Sequence, residues 1–312
     1  MTGLVHRELI FVGVQASQGA PVALGSCESV LVGGLGWSHE GARMNERDRV
    51  RRSKGRLPQV FGGTLVQITG NIELKGSGSA GTPPEFGAIL RACGLLETIV
   101  ASTSVTYTPV SDAQEFLTVY YFDDNGVQRV ITDAKGNISF NAEVGAIGTG
   151  EFTITGHESG SPSDETIPAE SYDDTTPPPF IAAGFTVGGY ADAVIGSLTL
   201  DPANEIVTPP DANSADGYGT VRIARRDVQG SFNPEATSVA TQTWVADWKS
   251  GVSKALDTGV IGATAGNQWQ ITCPAIKYRE VGAGDRESVR IYEIAFGAAE
   301  DAGDDEFSLI FQ

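Results

Sequence analysis

The stretch VQITGNIELKGSGSAGTPPEFGAILRACG, Val66 to Gly94, decides how the chain is read. Val66, Ile68, Ile72 and Leu74 fall on one face of an extended segment, and Gln67, Thr69, Asn71, Glu73 and Lys75 fall on the other. A period of two marks a strand buried on one side and wet on the other. Thr82-Pro83-Pro84-Glu85 then has the form of a capping box with proline at the first helical position. Phe86, Ile89, Leu90 and Cys93 follow at helical spacing, and Gly94 suits a left-handed stop. The expectation is a short buried helix packed beside a half-wet sheet.

Outward from this stretch the same pattern recurs. Residues 1–26 read as an arm, with ELIFVGV a strand. Ser29 to Gly41 reads as a first core strand, with Leu31, Leu35 and Trp37 inward. After the helix, SVTYTPV and EFLTVYYFDDNGVQRVIT are strands, the second turning at Asp124-Asn125-Gly126. In GNISFNAEV and EFTITG, Ile138, Phe140, Phe152 and Ile154 alternate with Asn137, Ser139, Asn141, Glu151 and Thr153. The run His157 to Pro179 is acidic, carries prolines and lacks apolar periodicity, so it reads as a linker.

The second half repeats this plan. ADAVIGSLTLDPANEIV is again a strand entering a long loop. DVQGSFNPEA answers VQITGNIELKG, with Val228, Gly230 and Phe232 on one face and Gln229, Ser231, Asn233 and Glu235 on the other. SVATQTWVADWKSG answers the first helix, with Val245 and Trp248 at helical spacing and Gly251 as its stop. EFSLIFQ closes the chain as a strand able to join a sheet in its own subunit or a neighbour's.

Charge narrows the function. A net charge of −18 disfavours non-specific nucleic-acid binding, which needs a basic face. Yet Arg43, Arg47, Arg49, Arg51, Arg52, Lys54 and Arg56 place seven of the 21 basic residues in one loop, Ala42 to Leu57. That loop lacks the interleaved aromatics of single-strand binders. The corresponding second-half loop, Pro202 to Gly219, has the opposite sign, with Glu205, Asp211 and Asp216.

No chemistry-bearing constellation emerges. His6, His39 and His157 are scattered, and neither His-Glu pair is followed by the second histidine of a zinc protease. Cys27, Cys93 and Cys273 are too few and too dispersed for a disulfide framework or zinc site. No segment has the length of a transmembrane helix. Glu8 lies just before a very short apolar run, so the N-terminus does not read as a signal peptide and cytoplasmic synthesis is expected. No enzyme, cofactor or metal is expected. A carbohydrate-binding or carbohydrate-cleaving β-sandwich is the reading from another class, although nothing pairs two carboxylates.

The succession of a polar-faced strand, ELKGSGSAGTPPEFGAILRACG, SVTYTP, GNISFNAEVGAIGTGEFTITG and ARRDVQGSFNPEA resembles the major tail (tube) proteins of long-tailed bacteriophages. The resemblance implies a mainly β chain of two tandem tube-type β-sandwich or half-barrel domains, each flanked by one helix. The expected division is an arm at 1–26, a first domain at 27–156, an acidic linker at 157–180, a second domain at 181–298 and a C-terminal strand at 299–312. A type VI-like secretion tube subunit shares the fold but is usually one half of this size.

The resemblance also implies a role in the virion tail. Subunits form rings that stack into a tube, occupied by the tape-measure protein and later crossed by DNA without specific binding, with tail-end and terminator proteins as further partners. Gln67, Asn71, Glu73, Ser139, Asn141, Glu143, Gln229, Asn233 and Glu235 lie on the strands that match the family's inner sheet, and are expected to face the lumen. The basic loop matches one the family uses between rings, and its acidic counterpart is expected there too. A family ring contains six sandwich units. Two units per chain therefore predict trimeric rings, with a hexamer as the rival.

Overall fold

Residues 7–312 are described by the computed structural model; His6 and the start of the expected arm lie outside them. The chain is 47% strand and 5% helix, which makes it mainly β. The first half contains β1 (Leu9–Gln15), β2 (Glu28–Val30), β3 (Gly33–Glu40), β4 (Met44–Asn45), β5 (Val60–Phe61) and β6 (Leu65–Glu73). These are followed by α1 (Gly87–Ala92), β7 (Leu95–Val100), β8 (Ser104–Pro109), β9 (Phe116–Phe122), β10 (Val127–Glu143) and β11 (Thr149–Glu158). Then come β12 (Ser163–Asp164), β13 (Thr186–Val187), β14 (Ile195–Asp201), β15 (Glu205–Val207), β16 (Arg222–Arg225) and β17 (Gln229–Pro234). The chain ends with α2 (Trp244–Ser250), β18 (Lys254–Asp257), β19 (Trp269–Arg286), β20 (Val289–Ala298) and β21 (Ser308–Phe311).

The alternating segments line up side by side. β3, β6, β11 and β10 pair in that order, all antiparallel. β14, β17, β20 and β19 do the same. In both sets the strands lie in the order first, second, fourth, third. The sets join where the end of β10 pairs with β14, Asn141 opposite Thr199 and Ala142 opposite Leu198, giving one continuous antiparallel wall. The halves also share a packing detail. Gly70 stands opposite Phe152 and Gly230 opposite Phe296. A Cβ on Gly70 would meet the Phe152 ring at 2.8 Å, and one on Gly230 the Phe296 ring at 2.5 Å, so each ring occupies the space a side chain would take.

β10 and β19, of 17 and 18 residues, outrun the wall and turn into a second layer. The start of β10 pairs with β9, which pairs with β1 and then β2. The start of β19 pairs with β18 and, through β21, with β8 and β7. β21 thus joins a sheet in its own subunit, between one strand from each half. The buried residues of both halves form one continuous cluster, from Ile10 to Phe311.

Several local expectations are corrected. Glu85 does not close a capping box: α1 starts at Gly87, and no side chain caps it. Glu85 instead lies 3.5 Å from the Lys75 ammonium, both side chains being buried. Lys75 also donates to the Asp173 carbonyl at 2.6 Å, and the Asp173 amide donates to Glu85 at 2.8 Å. The buried Lys75 ammonium needs a carboxylate partner, because its desolvation is otherwise uncompensated. Trp37 is not inward: its ring is one-third exposed, with the Arg129 guanidinium 3.6 Å from its centroid, and Leu31 is about half exposed. In α2 the buried residue is Trp244, packed on Phe232 and Tyr278, while Val245 and Trp248 lie at the surface.

The linker is fastened along its length. β12 pairs with the start of β10, Ser29 donates to the Ser171 carbonyl at 2.8 Å, and Asn267 donates to the Thr176 carbonyl at 2.7 Å. It is a strap between the halves, and its first two residues complete β11.

Candidate assembly surfaces

The first surface is the polar face of the wall. Gln67, Asn71, Glu73, Ser139, Asn141, Glu143, Gln229 and Asn233 alternate with Val66, Ile68, Ile72, Ile138, Phe140, Ala142 and Phe232, all buried, so the two sets take opposite faces. The register carries one row across both halves: Glu73, Thr149, Asn141, Thr199, Ser231, Ala295 and Glu280. Asn233 is partly committed, accepting bonds from the Gly196 and Ser197 amides at 2.7 and 2.8 Å. Glu235 lies 3.2 Å from Arg286, so its charge is locally balanced. Alternation in EFTITG places Glu151 and Thr153 on this face, although not among the expected lumen residues; Ser197 and Thr199 are absent from that expectation, although SLTLD alternates with a period of two. Glu280 had no such signal, because a bulge after Tyr278 resets the alternation.

The second surface is a pair of edges. Among the described residues β3 pairs only with β6, leaving its other edge without a partner. At the far side of the wall, β19 beyond Tyr278 pairs only with β20. Unpaired backbone donors and acceptors on a strand edge are a template for another strand.

The third surface is the basic arm. β4 and β5 form its root, pairing Met44 with Phe61 and Asn45 with Val60, and residues 46–59 project beyond them. The second-half loop folds back onto that root. Tyr218 donates its hydroxyl to the Gly41 carbonyl, Arg43 stacks 3.9 Å from the Tyr218 ring centroid, and Arg43 donates to the Gly217 carbonyl at 3.1 Å. Gly63, at φ 113, presses against the Asp216 carbonyl where a Cβ would collide. His157 bonds the Asp216 carboxylate through Nδ1 at 2.5 Å and the Gly219 carbonyl through Nε2 at 3.1 Å. Both ring nitrogens thus face oxygen acceptors of the loop. Burial pushes the Asp216 carboxyl up, but bonds from Ser214, His157 and the Tyr218 amide outweigh it and hold the group below the usual carboxylate range. A cavity of about 710 Å³, lined by His39, Asp133, His157 and Tyr218 among others, lies between root and loop.

The three acidic loop residues therefore stand apart. Asp216 is engaged inside its own subunit, Asp211 accepts from the Asn213 amide at 2.8 Å within its own turn, and Glu205 is exposed in β15. The basic residues also divide. Arg43 belongs to the root, Arg51 donates to the Gly55 and Arg56 carbonyls, and Arg56 lies 3.6 Å from Glu46. Arg47, Arg49, Arg52 and Lys54 are exposed.

Among the described residues no histidine, cysteine or carboxylate group gathers as a metal site, and no helix is long and apolar enough to cross a membrane. Burial pushes the thiols up, Cys273 to about 12 and Cys27, helped by Glu28, to about 11. Neither is a thiolate nucleophile at neutral pH. A two-faced wall, two strand edges awaiting partners and a projecting charged arm define a self-assembling structural subunit. Residues 7–298 match the family model of the phage tail tube protein, and the chain belongs to that family. It is a structural tail tube subunit, a component of the virion tail that assembles with other tail components. No curated protein matches it.

Proposed function

We propose that three copies of this chain close a ring by continuing the wall, the edge of β3 in one copy pairing with the edge of β19 in the next. The observation that carries this reading is the β10–β14 joint inside the chain, which serves as a template for the joint between chains. Matching Gly70 to Gly230 makes Gly33 the counterpart of Thr199, since they face Asn71 and Ser231, the residues that follow those glycines. By the same logic Val281 answers Phe140, because their partners Ile294 and Gly150 face Phe232 and Ile72. The in-chain pairs Asn141–Thr199 and Ala142–Leu198 then become Gly282–Gly33 and Ala283–Val32 between copies. Ala142 is 3% exposed in its joint, whereas Ala283 is exposed. Closure would cover it and remove both edges, as a closed cyclic assembly requires.

In such a ring the polar rows face a channel holding the tape-measure protein and then DNA, which the carboxylates repel rather than bind. The basic arm reaches the adjacent ring, and tail-end proteins cap the stack. Asp216 is reassigned from ring stacking to holding the loop on the arm root. Against a hexamer with the second half outside the wall stands the polar face that β14, β17, β20 and β19 extend. The test is the number of chains per disc by electron microscopy of the purified protein. Three are expected, and six overturn the proposal. Ala283→Glu should leave the circular dichroism of the monomer unchanged and abolish discs; discs at the usual yield would also overturn it.

A further inference from the structure

We propose that the basic arm docks on the acidic strap of a second copy of this chain in the next ring, at Glu170 and Asp174, together with the neighbouring Glu28 of β2. The inference rests on the ring reading above and supplies the surface that receives the arm. The first observation is positional. The arm leaves the wall at the end of β3 and the start of β6. The strap is fastened at the other end of the same strand pair: Ser171 to Ser29, just ahead of β3, and Asp173 to Lys75, just after β6. The nine residues of β6 separate the two sites by about 30 Å. Residues 46–59, doubled back as a hairpin, reach about 20 Å at most. The arm therefore does not reach residues 170–174 of its own strap, whereas in a stack of like-oriented rings the arm end of one ring abuts that end of the next.

The second observation is charge. Residues 157–179 contain no lysine or arginine. Glu28, Glu170 and Asp174 are exposed and, among the described residues, make no ion pair; neither do Arg47, Arg49, Arg52 or Lys54. Like charges crowded on the arm and on the strap repel within each surface, and docking relieves both. The third observation is number. The second-half loop is folded onto the arm root, so each chain offers one arm, and the strap occurs only where the halves are linked, so each chain offers one strap. Arm and strap match one to one whatever the ring size.

The test is a charge exchange in the full-length protein, read as tube length and critical concentration. Strap reversal (Glu28→Lys, Glu170→Lys, Asp174→Lys) should raise the critical concentration for tubes at least tenfold while discs still form. Arm reversal (Arg47→Glu, Arg49→Glu, Arg52→Glu) should do the same. The chain carrying both reversals should recover tubes. Unaltered tubes from the strap reversal overturn the proposal, as does failure of the combined chain to recover them when its discs are intact. Disc formation is scored separately: if the wild-type chain gives no discs, the ring reading fails and this inference with it.

Discussion

Asp216 fixes the acidic loop to the arm root, and its ionisation sets how firmly. The carboxyl is held below its ordinary range in the folded chain, so its contribution is present above the unfolded value of about 3.9 and is lost as pH falls through the folded one. Docking of the loop should weaken as pH falls below about 4. Protease cleavage within residues 211–219 measures this, and Asp216→Asn should remove the acid-dependent step; an identical step in that variant would exclude Asp216 as its source. At this scale the sequence was an uneven guide. Alternation placed the wall residues on the correct faces, because every second side chain in a strand shares a face whatever surrounds it. It misplaced Trp37 and Trp248, since an amphipathic ring at an element's rim lies at the surface when a polar partner is there. For Trp37 that partner is Arg129, and for Trp248 it is the Arg279 carbonyl, 3.1 Å from the ring nitrogen.

β21 shows how much one terminal strand does. It pairs on one side with Trp269–Thr272 of β19 and on the other with Val105–Tyr107 of β8, and buries Leu309 and Phe311 fully. Burial of those two side chains alone contributes about 3–6 kcal/mol, and the pairing covers two edges that otherwise attract other chains. Truncation after Asp305 should lower the thermal midpoint by about 5–9 °C, as expected for that loss in a chain of this size, and drive the protein into aggregates on size-exclusion chromatography. A soluble truncated chain with an unchanged midpoint would show that the strand is dispensable. EFSLIFQ alternates plainly, so its strand character was legible, but its place between the halves was not, because partner choice depends on long-range geometry. The capping box failed for a related reason. The signal in Thr82–Glu85 is local, and the demand on Glu85 comes from Lys75, buried across the turn.

For the whole molecule, the repeat was legible as an order of elements long before any identity between the halves, since each half solves the same packing problem with its own side chains. The strap was not legible, because its bonds use backbone groups and scattered Ser, Asp and Thr that carry no periodicity. On the polar face Glu73, Glu143, Glu151 and Glu280 make no ion pair among the described residues, unlike Glu235 with Arg286, so together they carry the free negative charge there. Glu73→Lys with Glu143→Lys should leave tube assembly intact and slow genome release from virions; unchanged release would exclude these positions from the channel wall. The covalent β10–β14 joint has a further effect, on kinetics. Three of the six junctions in such a ring form during folding, at the high effective concentration of an intramolecular encounter. Nucleation then calls for three bodies to meet instead of six, so ring formation should depend less steeply on protein concentration. In an infected cell, tubes would begin to grow early, while the subunit is still scarce.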